Sequence, residues 1–207
     1  MVMTIPCLVR AAVAAILSLP FNDGPVPGVE GQAALFDGFD SRIVIPAADV
    51  PTPESSFTVD LWVCPLSFPK SPCPVVCRQG EVASSGWSLW LDAFGKVHFR
   101  VEDAEAVSPD GLPLRQWSHL TALFESGRAI RLAIDGKQVS GLSTTLPRVE
   151  QSAYDVWIGR TQVPTPSFLE NKDIAIYSSF DGAMDELNVY ADGESYKKIL
   201  KRKPPGA

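Results

Sequence analysis

The chain has 207 residues, 45% of them apolar and 20% charged, with a formal net charge of −6. That balance excludes a disordered chain and offers no basic stripe of the kind a nucleic-acid backbone requires. The one basic cluster, Lys197, Lys198, Lys201, Arg202 and Lys203, reads as a solvated helix end running into a linker.

In chain order, Ala11–Leu19 is apolar behind Arg10 and mimics the core of a short signal peptide. It is too short to span a bilayer. The competing reading makes Ile16–Gly24 a first strand and turn. We prefer it, because cleavage near Ala14–Ala15 would leave little ahead of that strand. A Gly/Pro loop follows, then strands at Ala33–Asp37 and Arg42–Pro46. Phe57–Cys64 is the cleanest alternation: Phe57, Val59, Leu61 and Val63 share one face, Thr58, Asp60, Trp62 and Cys64 the other. Val75–Arg78 is a short strand. Gly86–Asp92 and Lys96–Val101 pair as a hairpin across Ala93–Gly95, and Ala104–Ser108 adds one more strand.

Residues 115–141 form a meander of three strands. Leu120, Ala122 and Phe124 lie on one face of the first; Ile130, Leu132 and Ile134 do the same in the second. Gly127 suits the first turn, and Asp135-Gly136 is the dipeptide of a type I′ hairpin. After Tyr154–Gly159 comes a long loop from Thr161 to Ser179, with an apolar stretch at Pro164–Phe168 that would favour docking. Gly182–Tyr190 is the last strand, and Ser195–Leu200 the one helical turn. Many short strands with almost no helix predict a β-sandwich.

Cys73 and Cys77 would stand about 13 Å apart in an extended strand, too far for a disulfide. Cys64 and Cys73 could meet across a hairpin base. No zinc-site spacing is present, and reduced structural thiols are expected.

Several segments, in order, resemble laminin-G-like domains of the concanavalin A-like lectin/glucanase superfamily. They are Leu19–Gly24, Ala34–Asp40 with Ile43–Pro46, Phe57–Pro65, Gly86–Leu91, Trp117-Ser-His119, Ile134–Lys137, Val156–Arg160 and Phe180–Tyr190. The resemblance implies an all-β jelly-roll sandwich of two antiparallel sheets over residues 16–200, with a short C-terminal helix. An N-terminal segment (1–15) precedes it and a basic, Pro-containing tail (201–207) follows. It also implies a non-catalytic module binding glycans or proteins, outside the cell or at its surface, with a cytoplasmic subunit as the alternative. Many such domains carry calcium. Here the family's long polar loop after the first strand is replaced by Pro25–Gly28.

Polysaccharide-cleaving relatives present paired carboxylates on one strand face. Glu102 and Asp103 point to opposite faces, so a hydrolase is not expected. His119 is read as a structural residue bonding across neighbouring strands. By alternation Asp185 shares a face with Leu187 and Val189. Its carboxylate is either capped by backbone N–H groups or bound to Ca²⁺ with Asp23, Asn22 or Asp37. Trp62 with Asp60, and Trp90 with Asp92, His98 and Arg100, would make one sugar-binding face if their strands share a sheet. Otherwise the tryptophans are the second side of a thick core. The expected partner is a glycan or a protein, with no nucleic acid and no membrane insertion. The alternative role is a structural domain docking within a larger complex.

Overall fold

The computed structural model describes residues 15–53, 55–80, 85–151, 153–162 and 178–202. Residues 1–14 with the signal-like start and Cys7, the stretch 163–177 with Pro164–Phe168, and the tail from Lys203 on lie outside the described residues.

The strands are β1 (Ala15–Leu19), β2 (Val26–Pro27), β3 (Gln32–Asp37), β4 (Ile43–Ile45), β5 (Phe57–Pro65), β6 (Cys73–Gln79) and β7 (Gly86–Leu91). They continue as β8 (Lys96–Val101), β9 (Ala104–Gly111), β10 (Ser118–Glu125), β11 (Ala129–Ile134), β12 (Lys137–Ser143), β13 (Val156–Ile158) and β14 (Asp181–Tyr190), before the helix α1 (Glu194–Ile199). Every pairing is antiparallel. An eight-stranded sheet runs β12-β11-β10-β5-β14-β3-β2, with β1 also on β14, and a six-stranded sheet runs β4-β13-β6-β7-β8-β9.

Period-2 alternation builds the core. Phe57, Val59, Leu61 and Val63 of β5 face Trp87, Leu89 and Leu91 of β7 and Val97, Phe99 and Val101 of β8, all buried. Phe57 sits at the centre, its ring 5.4 Å from Trp87, 5.6 Å from Phe124 and 6.3 Å from Phe99. Aromatic contacts of this kind add to area burial. The predicted turns form as the residue types dictate: Asp135 and Gly136 both have positive φ, 50° and 76°, as a type I′ turn needs. Buried Arg78 ties the crossovers together by donating to the carbonyls of Tyr154, Pro51 and Val50.

Two expectations need correction. Cys64 and Cys73 do not flank a hairpin base, because β5 and β6 belong to different sheets. Cys64, Cys73 and Cys77 are free thiols, and burial pushes the Cys77 thiol up to about 12. Asp185 does not share a face with Leu187 and Val189. The β14–β5 register shifts between Asp185 and Asn188, and Glu186 takes φ 50°. This bulge inserts a residue and reverses the alternation, so Asp185 pairs with Trp62 on the outer face while Leu187 turns into the core.

Candidate functional site

The outer face of the eight-stranded sheet gathers Asp60 and Trp62 from β5, His119 from β10, and Asp185, Asn188 and Tyr190 from β14. Trp62 and His119 are cross-strand partners and their rings stack, centroids 4.5 Å apart and 18° from parallel. His119 Nε2 bonds Asp60 Oδ1, and both side chains are only 1% exposed. Asp60 Oδ2 accepts from Arg202 at 2.7 Å, and the same guanidinium donates to the Tyr190 hydroxyl at 3.3 Å. The helix α1 covers this face by packing Tyr196 and Leu200 against Leu123 and Ala133. Beside it Glu186 is pushed up to about 7, first by burial, then by the nearby carboxylates of Asp185 and Glu30. A buried polar cluster of this sort, in which His119 Nδ1 still lacks a partner, specifies register and position. His119 bonds across strands, as its sequence context suggested.

The outer face of the six-stranded sheet is differently built. One register row runs Val44, Trp157, Cys77, Ser88, Arg100, Glu105 across β4, β13, β6, β7, β8 and β9. The adjacent row runs Pro74, Trp90, His98, Val107. Small side chains, Cys77 and Ser88, thus form a floor. Trp157 stands on one side, Arg100 on the other, and the Trp90–His98 pair closes one end. Trp90 and His98 stack at 3.7 Å and 20°. His98 lies between two carboxylates, Nε2 3.4 Å from Asp92 and Nδ1 3.4 Å from Glu105. Arg100 donates to Gln79 at 3.1 Å. Burial works against the Asp92 carboxylate, but the Lys96 and Phe94 N–H groups and His98 outweigh it and hold its pKa below the usual range. The side-chain Ser88 Oγ, Trp90 Nε1 and Trp157 Nε1 atoms are buried without a hydrogen-bond partner.

The structure therefore splits the single sugar face expected from sequence. Asp60 and Trp62 lie in one sheet; Trp90, Asp92, His98 and Arg100 lie in or beside the other. Trp157, Ser88, Gln79 and Glu105 complete the second group and were missed. The signal for Trp157 was present, since it alternates between the apolar Val156 and Ile158 in a short strand.

Asp23, Asp37 and Asp185 do not gather into a calcium cage. Asp37 pairs with Asp181, four residues from Asp185 along β14, or about 13 Å. Asp37 Oδ1 accepts from the N–H groups of Phe39, Asp40 and Ser41, which hold it well below the carboxylate range. Asp185 is capped by N–H groups of Val29 (2.7 Å), Glu30 (3.0 Å) and Glu186 (2.9 Å). Burial still raises it. Asp23 is exposed in the turn after β1. Among the described residues no group of three or more His, Cys, Asp or Glu could hold a metal ion, so these residues do not fit calcium.

Two antiparallel sheets packed face to face, with polar aromatic pairs on both outer faces and a short helix on one, define a jelly-roll β-sandwich. The chain belongs to the concanavalin A-like lectin/glucanases superfamily, whose family model matches residues 37–195. A search of curated proteins finds no match. Among solved structures, the CBM40 of the Ruminococcus gnavus IT-sialidase, bound to α2,3-sialyllactose, is similar. Its TM-score is 0.62 at 11% identity, over 90% of this chain and 97% of that one. Domain 4 of an extracellular arabinanase from Geobacillus stearothermophilus, in complex with arabinotriose, has TM-score 0.59 at 17% identity, over 85% and 80%. A heptameric SAP-like pentraxin from Limulus polyphemus has 0.53 at 14%, over 80% and 78%. At these identities the likeness shows the fold.

Proposed function

We propose that the protein is a non-catalytic carbohydrate-binding module whose ligand sits on the outer face of the six-stranded sheet. The observation that carries this reading is the outer-face row Trp157–Cys77–Ser88–Arg100, whose half-buried Trp157 and Arg100 flank the covered Cys77 and Ser88, with Trp90 and His98 at its end. A pyranose presents apolar C–H faces, which stack on indole rings, and hydroxyls, which need hydrogen-bond partners at the edges. Arg100 and Gln79, both half-buried on this face, are such partners. Two of the similar structures contain a bound oligosaccharide, which supports the same ligand class.

The chemistry of the carboxylates points away from hydrolysis. A glycosidase acid needs a raised pKa at the scissile bond. Asp92 is held low and, like Glu105, is directed at His98. This reading places the protein outside the cell or at its surface, where polysaccharides are met.

The test is a glycan array of the intact chain followed by titration calorimetry on the best hit, with and without EDTA. Trp157→Ala and Arg100→Ala should each lower affinity at least tenfold, about 1.4 kcal/mol or more, without lowering the melting temperature to match. EDTA should change nothing. Full affinity in both variants would remove the ligand from this face.

A further inference from the structure

One edge of β14 passes from β3, which pairs along Asp181–Met184, to β1, which pairs along Leu187–Tyr190. Neither strand reaches the bulge at Asp185 and Glu186. A side chain on each side of it closes the gap. Asp185 accepts from the Val29 and Glu30 N–H groups at 2.7 and 3.0 Å, which ties down the connection ahead of β3. Asn188 accepts from the Ser18 hydroxyl at 2.7 Å, which ties down β1. Glu186 lies between the two ties and touches both. Its N–H donates to Asp185 Oδ1 at 2.9 Å, and its carbonyl accepts from Asn188 Nδ2 at 2.8 Å. Its φ of 50° lies in the left-handed region that glutamate rarely adopts, so the bulge is held by these contacts.

Three acidic residues therefore meet round one carboxylate, because Glu30 and Glu186 both donate backbone N–H groups to Asp185. The other titratable or charged groups facing Glu186 are Asp60 of β5, Tyr190 of β14, and Arg202 beyond α1. That guanidinium already bonds Asp60 and the Tyr190 hydroxyl. β1 contributes no charge. Carboxylates gathered in this way resist ionising together, and burial, then Asp185 and Glu30, push Glu186 up to about 7. Asp185 and Glu186 are fixed in β14, whereas Glu30 sits exposed on the short connection between the two-residue β2 and β3. Repulsion at the bulge is relieved most easily by moving that connection.

We propose that Glu186 is a proton-operated latch on the β2–β3 connection: protonated, it lets Val29 and Glu30 close on Asp185; ionised, it drives them off and uncovers the β14 edge at the bulge. The proton passes to water, and β1 stays in place through the Ser18–Asn188 tie. The sign follows from which form is neutral. The folded, closed state holds a proton that the open state gives up, so the latch is shut in mildly acidic surroundings and loosens as pH rises. It does not depend on the carbohydrate reading, since the bulge belongs to the eight-stranded sheet and the Trp157–Arg100 row to the other.

Amide hydrogen exchange of the intact chain, read by NMR and corrected for its intrinsic pH dependence, tests the latch. Between about pH 5.5 and pH 8.5 the protection of the Val29 and Glu30 amides should fall about tenfold or more in the wild type. In Glu186→Gln it should stay constant within about twofold. Glu30→Gln, a change at an exposed position, should leave a fall of about threefold or less, because one of the three repelling charges is gone. Constant protection in the wild type, or an equal fall in Glu186→Gln, would overturn the proposal. So would Val29 and Glu30 amides that exchange no faster than those of β10 at the higher pH, which would make the opening a global unfolding.

Discussion

Each sheet stacks a tryptophan on a histidine and gives that histidine an aspartate, Trp62–His119–Asp60 in one and Trp90–His98–Asp92 in the other. The residue types are the same; their surroundings are not. On the eight-stranded sheet the trio lies under α1, nearly sealed from water, and Arg202 saturates the remaining carboxylate oxygen. On the six-stranded sheet the contacts to His98 are 3.4 Å, the aspartate is anchored by backbone N–H groups, and the neighbouring floor keeps polar atoms without partners. Burial and the Arg202 contact make the first trio part of the framework. Longer contacts and greater exposure leave the second open to a ligand.

That contrast is easiest to break at Asp60. Asp60→Ala leaves the buried His119 ring and the half-exposed Arg202 guanidinium without their shared hydrogen-bond partner, and should cost about 2–3 kcal/mol in urea unfolding. Glycan affinity per folded molecule should be unchanged. A melting temperature within a degree of wild type would remove the framework role.

Next in size comes Glu186. Its pKa is raised in the folded protein, so the folded state binds a proton that the unfolded state releases between about pH 4.5 and 7. This group therefore destabilises progressively as pH rises through that window, and the penalty is complete above it. Glu186→Gln should stabilise by about 1–2 kcal/mol at pH 8, discounted for partial exposure, and by almost nothing at pH 4. Equal effects at both pH values would show that ionisation is not the cause.

On the other sheet, His98→Ala should cost about 1 kcal/mol or less while lowering glycan affinity, the reverse of the Asp60 pattern. Asp92→Asn should be smaller still. Its folded pKa is depressed, so its contribution is present above the unfolded carboxylate pKa and fades as pH falls through the folded value. Wild type and variant should therefore converge in stability in strong acid, which a pH series of thermal melts will read.

The strands, their inner faces and the tight turns were legible in the sequence because alternation and turn residues are local signals. Phe57 to Cys64 and the Asp135-Gly136 turn formed as read. Sheet membership was not legible: alternation tells which residues share a face of a strand but not which strands are neighbours. That is why Asp60 and Trp62 were grouped with Trp90 and His98. The bulge at Glu186 was hidden for another reason. Nothing in a run of Met-Asp-Glu-Leu announces a left-handed glutamate, and one inserted residue turned Asp185 to the opposite face. Of the candidate site, Trp90, Asp92, His98 and Arg100 stayed together because they belong to one hairpin.

One edge of β14 is shared end to end, by β3 along Asp181–Met184 and by β1 along Leu187–Tyr190. The Ser18 hydroxyl reaches Asn188 across 170 residues of chain. The β10–β11–β12 meander, by contrast, closes on itself within a few residues of each turn. During synthesis the meander can form as soon as it leaves the ribosome, whereas β1 has no mate, and β3 only the two-residue β2, until nearly the whole chain has emerged. Long-range pairing of this kind slows folding and leaves strand edges bare in the meantime. A chain stalled before residue 181 would leave β1 unpaired and one edge of β3 bare, making the nascent protein a client for chaperones at the moment its core is half built.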